Sequence, residues 1–182
     1  STALAALTDA WLYLRDYPYE GSEQVASRLV AAVALSDVLA AFGAAGARSP
    51  EEVGAAIDRD IARLAAQQRD DGGWAWWPGA RRTNPFVSVH VAHALARARA
   101  KGHQVPAGTI EVATAYLTDI AAHLDAVEWL DDSTRRTVRA YALFVRALVG
   151  DSDTAAARAL LAESDERSIE TLGWLLAVLG GD

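Results

Sequence analysis

The chain alternates two kinds of helical segment, and that alternation limits its architecture more than any single motif does. Leu4, Leu7, Trp11 and Leu14 recur at helical spacing, as do Val53, Ile57, Ile61 and Leu64, and Ile110, Ala113, Leu117, Ile120 and Leu124. Each set is one apolar stripe on an otherwise polar helix, so such a helix can leave one side in water. Between them lie segments that are apolar nearly all round: Val30 to Leu35, Tyr141 to Val145 and Trp174 to Leu179. A helix with no polar face has to be covered on most sides. Helices are expected over 3–14, 23–44, 50–66, 85–100, 107–124, 133–149, 153–163 and 168–179, with Gly and Pro at their ends and no strand required.

Outer, inner, outer, inner is the order of an all-α fold in two layers, an α/α toroid of helical hairpins in which the inner helices line a centre and the outer ones shield them. A simple four-helix bundle would not alternate in this way. An α-solenoid ranks behind the toroid, because the helices show no fixed-period self-similarity beyond a general Ala and Leu bias. In a toroid the outer-to-inner loops share one face. Those loops, 15–22, 67–84, 125–132 and 164–167, include the longest connections, so functional residues are expected there.

At 182 residues and 52% hydrophobic composition, the chain is expected to be a single domain over 1–182 with one sizeable core. A net charge of −7 lacks the clustered Lys and Arg that a phosphate-backbone binder needs, which argues against nucleic acid as a partner. The longest apolar run, Val30 to Leu35, is far short of the roughly 20 residues that cross a bilayer, so no membrane insertion is expected. With no cysteine there is no disulfide, thiolate nucleophile or cysteine-ligated metal in this chain. The first residue is Ser and no signal-peptide pattern follows, which reads as a piece of a longer protein.

Two segments carry motifs. The first is Tyr17-Pro18-Tyr19-Glu20-Gly21-Ser22-Glu23-Gln24, just ahead of an apolar inner helix. As local pattern it is a helix start, with Pro18 setting a turn, Gly21 or Ser22 capping, and Glu23 favouring the positive helix terminus. The second is Gln67-Gln68-Arg69-Asp70-Asp71-Gly72-Gly73-Trp74-Ala75-Trp76-Trp77-Pro78-Gly79, which follows an outer helix. Its tryptophans read first as a packed clasp and second as a binding platform, with Arg81 and Arg82 beside them able to engage a carboxylate.

Together these segments resemble the thioester domain of bacterial α2-macroglobulin-like, complement-type proteins. In that family aromatic-Pro-aromatic followed by Gly-Cys-x-Glu-Gln forms an internal thioester, and a Gln-x-x-Asp-Gly-Gly-aromatic turn with a downstream Trp-Pro follows an outer helix. The resemblance places Gly21 where the cysteine would be, with Glu23 and Gln24 at the matching acidic and acyl-donating positions. Residues three apart face each other in a first helical turn, as the bridge requires. Without sulfur the resemblance implies an inactive motif, no catalytic residue and no cofactor. It further implies a non-catalytic module of a secreted or periplasmic protease inhibitor or defence protein. Its partners would be the other domains of that chain and target proteases. If Gly21 replaces a natural cysteine, the natural protein would instead be a covalent trap. Tyr17, Tyr19, Trp74, Trp76, Trp77, Arg81 and Arg82 are the candidate interaction surface. Complete domains of this kind have six hairpins against four here, so the ring is expected to be incomplete, its apolar edges covered by a dimer, a neighbouring domain or an altered closure.

The opposed reading is an α/α-toroid enzyme, either a terpenoid-cyclase-like protein, whose fold uses a similar Gln-to-Gly-x-Trp element, or a glycosidase, which works with two carboxylates at the mouth of the inner ring. Asp70 with Asp71 and Asp131 with Asp132 are its candidate acids, yet adjacent acids before helices are usually turn and cap residues. Neither Asp-rich motif of terpene chemistry occurs. His90 and His93, three apart on an inner helix, lack a third ligand, and no metal site is expected.

Overall fold

The computed structural model describes residues 20–42, 49–163 and 168–180, with side chains from 37 to 42 set aside. The expected helix 3–14, Tyr17, Tyr19 and the loop 164–167 lie outside the described residues. All regular elements described are helices: α1 (Ser22–Phe42), α2 (Pro50–Gln67), α3 (Pro85–Ala100), α4 (Thr109–Thr118), α5 (Ile120–Asp125), α6 (Asp132–Leu148), α7 (Thr154–Ala162) and α8 (Ile169–Leu179).

Helix starts follow from capping chemistry. Ser49 closes a capping box with Glu52 ahead of Pro50, and Asn84 caps α3 ahead of Pro85. Asp131, Asp153 and Ser168 accept backbone N–H groups at the starts of α6, α7 and α8. Asp131 is therefore spent on a cap, and Asp71 on the Gly73 N–H and the Thr83 hydroxyl.

The two layers follow from which helices touch. Helices α1, α3, α6 and α8 pack consecutively on one another, while α2, α4, α5 and α7 pack on these inner helices. On α3, Val87, Val89, Val91, Ala94, Leu95 and Ala98 are buried, the covering that its all-round apolar sequence demands. On α2 burial keeps to one face, where Ala56 and Asp60 join the stripe Val53, Ile57, Ile61 and Leu64.

Two expectations need correction. The helix expected over 107–124 is broken at Asp119 into α4 and α5. There the ladder tightens, with Ala122 N–H reaching the Asp119 carbonyl three residues back, while the Thr114 and Thr118 hydroxyls bond the carbonyls of Ile110 and Thr114. The expectation that every inner helix is largely covered fails at α8, where Leu176 is 62% and Ile169 86% exposed. Helix α8 packs on α6 and α7, and no described helix packs extensively on its far side.

One buried charge pair joins the layers. Arg28 on α1 donates Nε and Nη2 to the two carboxylate oxygens of Asp60 on α2, at 2.7 and 2.8 Å, and both residues are buried. Such a fork contributes little over an apolar pair but is costly to break on one side, because a lone charge then stays in the interior. Asp60→Leu alone is expected to cost about 3–5 kcal/mol in denaturant unfolding, and Arg28→Met with Asp60→Leu markedly less. Equal losses for the single and double variants would mean that the pair contributes packing only.

Candidate functional site

The loop between α2 and α3 is built around Trp74. Its indole is fully buried and donates Nε1–H to the Leu64 carbonyl at 2.7 Å, its backbone N–H donates to Ser88 Oγ, and its carbonyl accepts the Asn84 N–H. Gln68 Nε2 bridges the carbonyls of Gly72 and Thr109, and the Arg69 guanidinium holds the carbonyls of Ala80 and Arg81. Gly72 has φ +88°, a left-handed turn with the Val112 carbonyl packed against its Cα. Trp74 is thus the clasp that its first reading described, whereas Trp76 and Trp77 are 40% and 48% exposed.

This loop meets the other motif directly. Ser22 at the start of α1 donates its N–H to the Trp76 carbonyl at 3.0 Å, and its hydroxyl donates to Gln67 Oε1. A Cβ built on Gly21 would overlap Gln24 Oε1 and stand 2.7 Å from the Trp76 carbonyl oxygen and 3.1 Å from the Trp77 ring. The Gln24 carboxamide therefore folds back over the position a side chain at 21 would take. Its Oε1 is buried without a hydrogen-bond partner among the described residues, a condition that costs free energy in an ordinary glutamine. Glu20 is fixed just ahead of the site by Arg63 and Arg28.

Beside this point a groove of about 1000 Å³ runs along the loop face, lined by Arg81, Arg82, Asp70, Trp76, Glu128 and Trp129, the last 78% exposed. Positive and negative side chains share its walls. Tyr116 lies at its edge, stacked on His123 with ring centroids 3.7 Å apart. Among the described residues no group of three or more His, Cys, Asp or Glu side chains is placed to hold a metal ion, and no described helix is long and apolar enough to cross a membrane.

Comparison with known proteins then places the chain. No family model matches it. An α2-macroglobulin homolog from Yersinia pestis is 28% identical over 142 residues, which are 78% of this chain and 7% of that protein. The α2-macroglobulin of Escherichia coli K12 is 36% identical over 98 residues, 53% of this chain and 6% of that protein. The crystal structure of Salmonella α2-macroglobulin reacted with methylamine matches 97% of this chain and 12% of its own, with a TM-score of 0.79 at 26% identity. Bacterial α2-macroglobulins are thus among the proteins and solved structures to which this chain is similar. The chain spans under a tenth of the two curated α2-macroglobulins it matches.

The structure brings Gly21, Glu23 and Gln24 to one helix start and sets Trp76 and Trp77 against it, while Arg81 and Arg82 line the groove with Trp76. Sequence reading missed a hydrogen-bonded group on the inner face: Ser27, His90, His93 and Tyr141. The spacing of Glu23 and Ser27, four apart on α1, and of His90 and His93, three apart on α3, was the available signal. Tyr141, on another helix, had none. Ser27, His90 and Tyr141 line up as hydroxyl, imidazole and phenol, but the Ser27 hydroxyl hydrogen goes to Glu23 Oε1 and leaves none for His90 to accept.

Gly73 is a closely packed point of the loop where side chains crowd in. A Cβ there would lie 2.6 Å from Tyr116 Cε2 and 2.7 Å from Ser88 Oγ. Gly73→Ala should displace the Trp74–Ser88 hydrogen bond and cost about 1–3 kcal/mol in thermal or denaturant unfolding. Wild-type stability in that variant would show that the loop is not closely packed at this position.

Proposed function

We propose that this chain is a thioester-domain-like module of a bacterial macroglobulin-type protease inhibitor, in which the site at Gly21 and Gln24 works without covalent chemistry. The observation that carries the reading is the buried, unpartnered Gln24 Oε1 turned onto the Cβ position of residue 21. For atoms that are not bonded, such an overlap is forbidden. In a cysteinyl–glutamyl bridge the same two atoms are three bonds apart, where separations below van der Waals contact are ordinary. In this reading the Gln24 carboxamide stands where the bridge would need its acyl donor, and what Gly21 lacks is the whole CH2–SH side chain of a cysteine.

The inhibitor assignment rests on the α2-macroglobulin homologues. A role as one module among many is supported by the small share of those proteins that the chain spans. In this reading the exposed Trp76, Trp77 and Trp129 surface and the flanking Arg81 and Arg82 meet other domains of the same chain. Proteases are the targets of the whole protein, in the periplasm or outside the cell. The module itself forms no bond with them, because a glycine at position 21 gives Gln24 no thiol to acylate.

Intact mass of the Gly21→Cys protein tests the scaffold. Cysteine here requires the Gln24 carboxamide to swing aside and the Trp76 backbone carbonyl, 2.7 Å from the added Cβ, to shift, so circular dichroism matching the parent comes first. The expected result is loss of one ammonia as the thiol displaces the Gln24 amide nitrogen, followed by addition of methylamine when that amine opens the bridge. A folded variant that keeps its full mass would refute a thioester-competent scaffold.

A further inference from the structure

Five side chains from three inner helices form one hydrogen-bonded line that the macroglobulin reading does not use. Ser27 Oγ on α1 donates to Glu23 Oε1 at 3.0 Å and lies 2.9 Å from His90 Nε2 on α3. His90 Nδ1 lies 3.1 Å from the Tyr141 hydroxyl on α6, which also lies 2.7 Å from His93 Nδ1. Tyr141 in turn stacks on Trp174 of α8, ring centroids 4.3 Å apart. The line thus spans the inner layer from the first turn of α1, where Gln24 sits, to α6.

Counting protons fixes its polarity. Ser27 has one hydrogen and gives it to Glu23, so His90 Nε2 must carry a proton to donate to Ser27. A neutral His90 then has a bare Nδ1, which accepts from Tyr141, and His93 donates its Nδ1–H to the Tyr141 oxygen. Every contact is satisfied with both imidazoles neutral. The opposite polarity leaves Ser27 unable to serve both Glu23 and His90.

One extra proton can be absorbed. If His90 becomes an imidazolium, its Nδ1–H donates to Tyr141, whose O–H turns to a bare Nδ1 on His93. A second proton sets two cations side by side with both Nδ1–H groups aimed at the Tyr141 oxygen, and the Tyr141 hydrogen is left without an acceptor in the line. We propose that this line is a pH-sensitive clasp joining α1, α3 and α6, which survives the first protonation of its histidines and opens on the second.

The surroundings favour the closed, neutral state. Burial holds both imidazoles below their usual range, with His93 held down to about 4, and His90 and Arg97 push His93 the same way. Glu23 on α1 opposes this at His90. Burial raises the Tyr141 hydroxyl, keeping it a donor. From α8 the neighbour is the uncharged Trp174. On the outer side the carboxylates and cations of α1, α2, α4 and α5 that come near these helices are paired: Arg28 with Asp60, Arg99 with Glu111, and Asp125 with Arg135. A histidine whose pKa is lower folded than unfolded makes the folded state bind fewer protons. Its contribution is therefore whole above the unfolded value of 6.5 and is lost as pH falls towards 4.

The test is a titration of the 182-residue chain, following the histidine ring signals by NMR and the Tyr141–Trp174 stack by near-ultraviolet circular dichroism. Two histidines are expected to titrate below 6.5 in separate steps, and the circular dichroism should change with the later one, while far-ultraviolet signal persists. Tyr141→Phe keeps the ring stack but removes the hub, so it should raise the later midpoint by about one pH unit and narrow the separation of the steps, leaving only the part due to repulsion between His90 and His93. Should that variant not fold, His93→Gln, which retains a side-chain donor for Tyr141, should fold and show no second step. Independent titration of His90 and His93 near 6.5, or a stack that changes with the first step, would overturn the clasp. These readouts do not involve position 21, so they stand or fall apart from the thioester-scaffold test.

Discussion

The hydrogen bond from the Trp74 indole to the Leu64 carbonyl is the contact on which the functional face depends. It ties a loop residue to the last turns of α2 while the same residue's backbone is held by Ser88 and Asn84 at the start of α3. A fully buried tryptophan contributes large apolar contact, and its one polar atom needs a partner of fixed position. Those demands set where the following residues run. Because Trp74 is anchored, the Trp76 carbonyl arrives at the Ser22 N–H and the Trp77 ring arrives over Gly21. Two motifs 45 residues and more apart in sequence thereby share one site, as the Ser22 to Gln67 bond also shows.

That convergence explains what could be read in advance. Helix positions were legible because caps and periodicity are local: Ser49 with Pro50, Asn84 with Pro85, and the stripe from Val53 to Leu64 each announce their helix within one or two turns. The layer assignment was legible for α3, whose apolar residues surround it. It was misleading for α8, where, among the described helices, only α6 and α7 pack extensively and Leu176 stays exposed. The break at Asp119 was hidden because Ile110 to Leu124 keeps its apolar spacing through the interruption, and only the hydrogen-bond ladder changes. Motif residues were found by resemblance. Their contact with each other, and the Ser27, His90 and Tyr141 group, are long-range facts that no window of sequence contains.

The site also shows two uses of charge with opposite surroundings. Arg28 and Asp60 form a pair whose charges are cancelled in place by a two-pronged contact away from solvent. His90 and His93 avoid charge altogether, sharing one phenol between them. The first arrangement fixes α1 against the outer layer and the second fixes it against the inner one, so the helix that carries Gln24 is held on both sides by polar contacts as well as by apolar packing.

The way the layers touch has a mechanical consequence. Among the described residues the outer helices α2, α4, α5 and α7 rest on the inner row, and none of these packs extensively against another of them. The outer layer is therefore a set of separate staves, not a continuous shell. Bending the row of inner helices opens or narrows the gaps between staves without breaking contacts among them, so the curvature of the arc is set by α1, α3, α6 and α8 alone. A load applied at one end would be carried from inner helix to inner helix, and the staves would follow.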